Sequence, residues 1–218
     1  MERVCLLYSA GVESTVLLHE LSHSYEVVPV YVSNGFAWEE TELNAAENAV
    51  ANLDGIQDLK TFSTPVDDLY PPHWSTGDED IPDEDSRDEE VYLPGRNFFL
   101  LTKPAVFCSL NGINEIYHGT LGSNPFPDST EDFFGLAERF YTTGLSTEIE
   151  IKTPYSGIDK PSVIERGSEL DVPFEKSFSC IDPVDGEHCG SCNKCGERFR
   201  EFRKTGVDDP ITYVDGFR

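Results

Sequence analysis

Val4-Cys5-Leu6-Leu7-Tyr8-Ser9-Ala10-Gly11-Val12-Glu13-Ser14-Thr15 is the stretch whose reading decides the fold. The apolar run Val4 to Tyr8 is short enough for a buried strand, and small and hydroxyl residues follow it at once. Ser14 to Leu21 then carries Val16, Leu17, Leu18 and Leu21 at helical spacing, and Glu26 to Val32 reads as a second strand. Together they make one βαβ unit, the building block of a parallel sheet. Its first turn hands a strand over to a helix N-terminus, where free backbone N–H groups and the positive end of the helix dipole favour an anion. Gly11 permits close backbone approach, and the Ser9, Ser14 and Thr15 hydroxyls can add donors. Taken alone, the same turn also reads as a plain tight connection.

Further along, Glu39 to Leu53 predicts a helix with Leu43, Ala46, Val50 and Leu53 as its apolar stripe, and Ile56 to Phe62 a weaker third strand. The alternation then stops. Residues 65–90 are rich in Pro, Asp and Glu, with nine acidic residues between Asp78 and Glu90, so this stretch reads as an acidic loop or lid. Order resumes with a helix over Phe98 to Leu110, a strand over Ile113 to His118, a turn-rich segment from Gly119 to Thr130 and a helix over Glu131 to Thr143. A late strand spans Glu148 to Thr153, Asp159 caps a helix running through Glu169, and a basic helix closes the chain from Glu197 to Lys204. The expected architecture is α/β, a doubly wound parallel sheet over residues 1–175 with a small segment, 176–218, appended.

The chain of 218 residues carries 16 Lys plus Arg against 41 Asp plus Glu, a net charge of -25. That charge repels phosphate backbones and anionic membranes, which argues against nucleic acid or a membrane surface as a partner. Life at high salt and an acidic partner-binding face both fit it. Val4 to Tyr8 is interrupted by Ser9, Gly11 and Glu13, and no run approaches the ~18 apolar residues of a membrane span, so the expectation is a soluble cytoplasmic chain without a signal peptide.

In a reducing compartment, clustered cysteines read as metal ligands before they read as disulfides. Cys180, Cys189, Cys192 and Cys195 stand at x8, x2, x2 spacing, with Gly190 among them and Arg198 just after. Four thiolates so placed suit tetrahedral zinc, with an iron–sulfur cluster as the rival. A closed four-sulfur site leaves no open position for substrate, so its role is to fold the C-terminal segment. His188 adjoins Cys189 and reads as a neighbour of the site rather than a ligand, while Cys5 and Cys108 sit in apolar runs as core residues.

These pieces together resemble the 7-cyano-7-deazaguanine synthases (QueC) within the PP-loop ATP-pyrophosphatases. The resemblance is carried by Ser9 to Thr15, by Leu93-Pro94-Gly95-Arg96-Asn97, by Thr153-Pro154 followed by Lys160, and by Ser179-Cys180 through Cys189-Gly190-x-Cys192-x-x-Cys195-x-x-Arg198. It covers nearly the whole chain. It implies an adenine nucleotide alpha hydrolase-like fold and a reaction in which a deazaguanine carboxylate attacks the α-phosphate of ATP, releasing pyrophosphate. Ammonia then captures the acyl adenylate, and the family dehydrates the amide to a nitrile with a second ATP. The implied cofactors are ATP, Mg2+ and structural Zn2+. The implied nucleotide loop is Ser9, Ala10, Gly11, Val12, Glu13, Ser14 and Thr15; Lys160 and Arg96 would supply positive charge to the reaction; Phe126, Asp128 and Asn97 would meet the base, with Phe126 stacking on the ring and Asp128 accepting from a guanine-type edge. Such proteins often form dimers.

Three departures qualify the resemblance. The family loop reads Ser-Gly-Gly-x-Asp-Ser, but here Ala10 and Glu13 replace a glycine and the aspartate. A left-handed backbone at Ala10 would cost about 1 to 2 kcal/mol. The family's Gly-Gln-Arg-His segment is replaced by Ser33-Asn34-Gly35-Phe36-Ala37-Trp38-Glu39, and its Tyr-Pro-Asp-Cys-Arg run by Phe126-Pro127-Asp128-Ser129, with no arginine. Beside a ligase using ammonia, two other readings therefore stand: a paralogue joining a deazaguanine or another acid to a different amine, such as one on a protein, and a nucleotide-binding subunit without catalysis.

Overall fold

The computed structural model describes all residues except 52, 67, 71, 78, 217 and 218. Asp78, the first residue of the acidic run, and the last two residues of the C-terminal segment thus lie outside the described residues. Five strands, β1 (Arg3–Leu7), β2 (Glu26–Ser33), β3 (Lys60–Ser63), β4 (Glu115–Tyr117) and β5 (Glu150–Lys152), form one sheet in the order β3-β2-β1-β4-β5, every pair parallel. Cys5 pairs with Val28 on one side and Ile116 on the other, so β1 is the central strand.

A central parallel strand is covered on both faces, and side chains alternate between them. Val4, Leu6 and Tyr8 point to a core shared with α1 (Val12–Ser22), α2 (Glu39–Val50) and α5 (Lys160–Glu169). Cys5 and Leu7 point to the opposite core, filled by α3 (Arg96–Asn111) and α4 (Glu131–Leu145). This is the expected doubly wound α/β sheet. Strand order reverses between β1 and β4, and the helices change face there because parallel crossovers are right-handed.

Differences from the sequence expectation are local. The third strand is four residues, Lys60–Ser63, preceded by a single bridge at Ile56. The helix from Glu39 stops at Val50 instead of Leu53. The basic helix α6 begins at Asn193 rather than Glu197, because Cys192 supplies its extended N-cap. Cys180, Cys189, Cys192, Cys195 and Phe202 pack into the same apolar cluster as α1 and α5. Part of the acidic segment is stapled to α6: Asn193 donates its N–H to the Pro82 carbonyl at 2.8 Å and its Nδ2 to the Ser86 carbonyl at 2.7 Å, and Arg200 donates to the Glu84 carbonyl at 2.7 Å. No helix among the described residues is long and apolar enough to cross a membrane.

Candidate active site

Parallel pairing gathers the loops leaving β1, β4 and β5 and the N-termini of α1, α3 and α5 at one edge of the sheet, and the reversal between β1 and β4 opens a crevice there. A cleft fills this crevice with two contiguous lobes of about 220 and 280 Å³. Ser9, Gly11, Glu13, Glu42, Arg96 and His118 border both. Three buried polar atoms around it, Arg96 Nε, His118 Nδ1 and Thr120 Oγ1, have no hydrogen-bond partner among the described residues. Buried polar groups are ordinarily paired, so these three are free to bond water or a polar ligand in the cleft.

The β1–α1 loop divides its seven residues between cleft and core. Ala10 takes the left-handed conformation at φ 59 and is fully buried, so the anticipated strain is present. Its carbonyl accepts from Phe178 N at 2.8 Å and Thr15 Oγ1 at 3.1 Å. Val12 and Thr15 also turn inward, which leaves Ser9, Gly11, Glu13 and Ser14 on the cleft wall. No side chain caps the first turn of α1, so its N–H groups remain available to an anion. Gly119, after β4, lies so close that a Cβ there would be 3.4 Å from Ser14 N.

Lys160, the first residue of α5, sits between two carboxylates, 2.9 Å from Glu13 Oε1 and 2.6 Å from Glu197 Oε1. Lys194 braces the second oxygen of Glu197 at 2.8 Å. Burial alone would pull the Lys160 pKa down, but Glu13 and Glu197 outweigh it and hold the ammonium above its ordinary value. Arg96, at the start of α3, lies 5.7 Å over the Phe36 ring, which stacks on Trp38 at 4.9 Å, and Trp38 on Trp74 at 5.6 Å. The segment that lacks basic residues thus builds an aromatic platform for a cation brought from α3. Several of its own donors are already occupied: Glu39 accepts from the backbone of Asn34 at 2.8 Å and of Gly35 at 2.8 Å and from the Ser33 hydroxyl at 2.7 Å.

Phe126 stacks on Tyr92 at 4.8 Å and borders both lobes. Asp128 is buried, and its Oδ2 accepts from Asn97 N at 3.0 Å while its carbonyl accepts from Asn97 Nδ2 at 2.7 Å. Two of the three expected base-contacting residues, Asn97 and Asp128, therefore hold each other and close the N-terminus of α3. Gly122 fixes this wall against the β5–α5 turn, since a Cβ there would lie 2.2 Å from the Ser156 carbonyl oxygen.

Four cleft residues escape sequence reasoning: Glu42, His118, Lys194 and Glu197. Tyr31 Oη donates to Glu42 at 2.8 Å, and burial pushes the Glu42 carboxyl up to about 7 despite the opposing pull of Arg96 and Tyr31. Burial and then Arg96 bring His118 down to about 4, so its ring is neutral. Glu42, Lys194 and Glu197 resemble ordinary helix-surface charges in sequence. Only His118, at the carboxyl end of a strand, carried a readable signal.

The four cysteines are buried with sulfurs within 4.8 Å of one another, and the pairs Cys180–Cys189, Cys180–Cys192 and Cys189–Cys195 lie at 3.5, 3.8 and 3.9 Å. A tetrahedron of bonds of about 2.3 Å sets its corners about 3.8 Å apart, so the donors fit a zinc-sized ion. His188 is no ligand: its Nε2 accepts from Ser179 N at 3.1 Å. Arg198, also buried, meets Asp209 at 2.9 Å and Ser177 at 2.7 Å, tying this segment together.

The family model described as queuosine biosynthesis protein QueC matches residues 3–206. This chain belongs to the QueC family, and it is an enzyme of that family. The 7-cyano-7-deazaguanine synthase of Methanospirillum hungatei is 30% identical over 229 residues, covering 98% of this chain and 100% of its own length. That of Chlorobium phaeobacteroides is 30% identical over 224 residues, covering 97% and 96%. Among solved structures, a predicted subunit of tRNA methyltransferase from Methanocaldococcus jannaschii superposes with a TM-score of 0.50 at 13% identity, over 99% of this chain and 94% of that one, and shows the fold alone.

Proposed function

We propose that this QueC-family enzyme is an ATP-dependent ligase that adenylates the carboxylate of 7-carboxy-7-deazaguanine, releases pyrophosphate and passes the acyl group to ammonia, giving the amide or the nitrile. The observation that carries this reading is the cleft at the strand reversal, where the uncapped start of α1, Lys160 and Arg96 converge. Transfer to the α-phosphate builds negative charge on the phosphates, and donors already in place lower its energy without reorganisation. The lobe reaching Lys160 and Lys194 suits a triphosphate. The lobe walled by Val30, Val32, Leu100 and Phe126 suits a flat heterocycle, with Phe126 for stacking and Asp128 Oδ1 for a donor edge.

Glu13 borders both lobes and would hold Mg2+, whose chemistry is to neutralise phosphate charge. Zn2+ in the four cysteines would be structural, since they leave no open position. The decisive experiment incubates the protein with ATP, 7-carboxy-7-deazaguanine and ammonium and follows pyrophosphate and deazaguanine products by mass spectrometry. Amide or nitrile with pyrophosphate is the expected result. Pyrophosphate release without either product points to a different amine, including one on a protein. ATP binding without release with any deazaguanine acid points to a non-catalytic subunit.

A further inference from the structure

In the adenylation reading, the acyl carbon lies where the nucleotide lobe meets the heterocycle lobe, and the ionisable groups bordering both are Glu13, Glu42, Arg96 and His118. Amine attack on an acyl adenylate releases one proton, and that proton needs an acceptor at this junction. Glu13 pairs with Lys160 through Oε1 at 2.9 Å, and its other oxygen is the one that would meet Mg2+, so neither is left to take the proton. Arg96 has no acceptor to offer. His118 opposes protonation, because burial and the facing Arg96 both penalise its cation.

Glu42 is left. We propose that Glu42 is the catalytic base of the second half-reaction, taking the proton from the attacking amine. The nitrogen forms its bond to the acyl carbon, the bond from that carbon to the phosphate oxygen breaks with its electron pair leaving on AMP, and one N–H proton passes to a Glu42 oxygen. The products are the neutral amide, AMP and a protonated Glu42, which returns its proton to solvent.

The surroundings fit that task. Tyr31 from β2 fixes Oε2 at 2.8 Å. Glu39 and the Trp38 indole at the start of α2, and Arg96 on α3, are the other charged or polar groups facing the carboxylate, with Glu13 and His118 across the junction. Burial dominates, placing the group at about 7, where a base is both deprotonated often enough and basic enough to act near neutral pH. The proposal rests on the adenylation reading, and the test separates the two.

ATP–pyrophosphate exchange with 7-carboxy-7-deazaguanine reports adenylation alone, and product formation reports amine capture. For Glu42→Gln we expect exchange and the KM for the acid to stay within about threefold of the unaltered protein, while capture of ammonia, with rates expressed per free NH3 so that the ammonium equilibrium drops out, falls by roughly 10² or more and loses its acidic limb. Hydroxylamine is far less basic, so its adduct gives its proton to water, and its capture should fall by less than about tenfold. Tyr31→Phe removes a bond that favours the charged carboxylate, so the acidic limb of ammonia capture should move to higher pH.

Equal losses with ammonia and hydroxylamine, a loss of exchange, a KM for the acid raised tenfold or more, or an unmoved limb in Tyr31→Phe would each overturn the assignment. If Glu42→Gln does not fold, Tyr31→Phe alone decides. Absence of acid-dependent exchange in the unaltered protein removes the adenylation reading, and this one with it. Normal exchange combined with any of the adverse outcomes removes Glu42 alone.

Discussion

Phe178 donates its backbone N–H to the carbonyl of Ala10 at 2.8 Å. Ala10 is left-handed and Phe178 stands two residues before Cys180, so one hydrogen bond ties the β1–α1 loop to the segment carrying the cysteines. Losing the metal should therefore be felt in the cleft. About one zinc per chain is expected by elemental analysis, and chelation or Cys192→Ser should lower the melting temperature sharply. Hydrogen exchange should show the Phe178 amide losing protection on chelation. A metal-free protein with unchanged melting and a protected Phe178 amide would count against the tether.

Lys160 separates two partly buried carboxylates, and its loss is costlier than that of a surface lysine. Lys160→Met leaves Glu13 and Glu197 without their shared cation, a change expected to cost up to about 3 kcal/mol, below the range of a fully buried pair because the carboxylates border an open cleft and Lys194 still holds Glu197. Adding Glu197→Gln should return about 1 kcal/mol or more, since the two residues are in contact and their effects do not add. Urea unfolding of the single and double variants reads this directly. Additive losses would mean that the ion pair is not the source of the effect.

The sheet was legible because its strands are short apolar runs and its helices carry clean stripes, from Val4 to Tyr8 through Leu21. The cysteine cluster was legible because a four-sulfur site constrains spacing along the chain. The cleft was only half legible. Lys160, Arg96 and the Ser9 loop sit at helix starts, where sequence position implies place, but Glu42 and Glu197 lie inside helices whose facing depends on tertiary packing. Asn97 and Asp128 were both marked, yet their mutual hydrogen bonds join residues 31 positions apart, which no local pattern encodes.

Ala10 allows a sharper test of the loop. Glycine at position 10 relieves about 1 to 2 kcal/mol of left-handed strain, but it gives up a fully buried methyl worth about 0.8 kcal/mol and adds freedom to the unfolded chain. Ala10→Gly should accordingly change stability by less than about 1 kcal/mol. Valine cannot take this backbone without strain at a β-branched side chain and has no room for its methyls, so Ala10→Val should cost more than about 2 kcal/mol. Thermal and urea unfolding of the pair should show this asymmetry, and similar values for both would mean that position 10 is not left-handed in solution.

Glu42 and His118 should pull stability in opposite directions with pH. The folded carboxyl of Glu42 stands at about 7 against an ordinary 4.5, so the folded state holds the proton more tightly; its contribution is full below 4.5 and is lost as pH rises through 7. His118 stands at about 4 against 6.5, so the unfolded state holds the proton more tightly; its contribution is full above 6.5 and is lost as pH falls through 4. Each amounts to no more than about 3 kcal/mol, and both groups border a cleft open to water, which reduces it. In the unaltered protein the two slopes oppose each other and largely hide. Glu42→Gln should gain stability relative to the unaltered protein as pH rises from 4.5 to 7, and His118→Asn should gain as pH falls from 6.5 to 4. Urea unfolding at several pH values, taken as differences from the unaltered protein, isolates each group, and slopes of the same sign in both variants would show that at least one shift is wrongly directed.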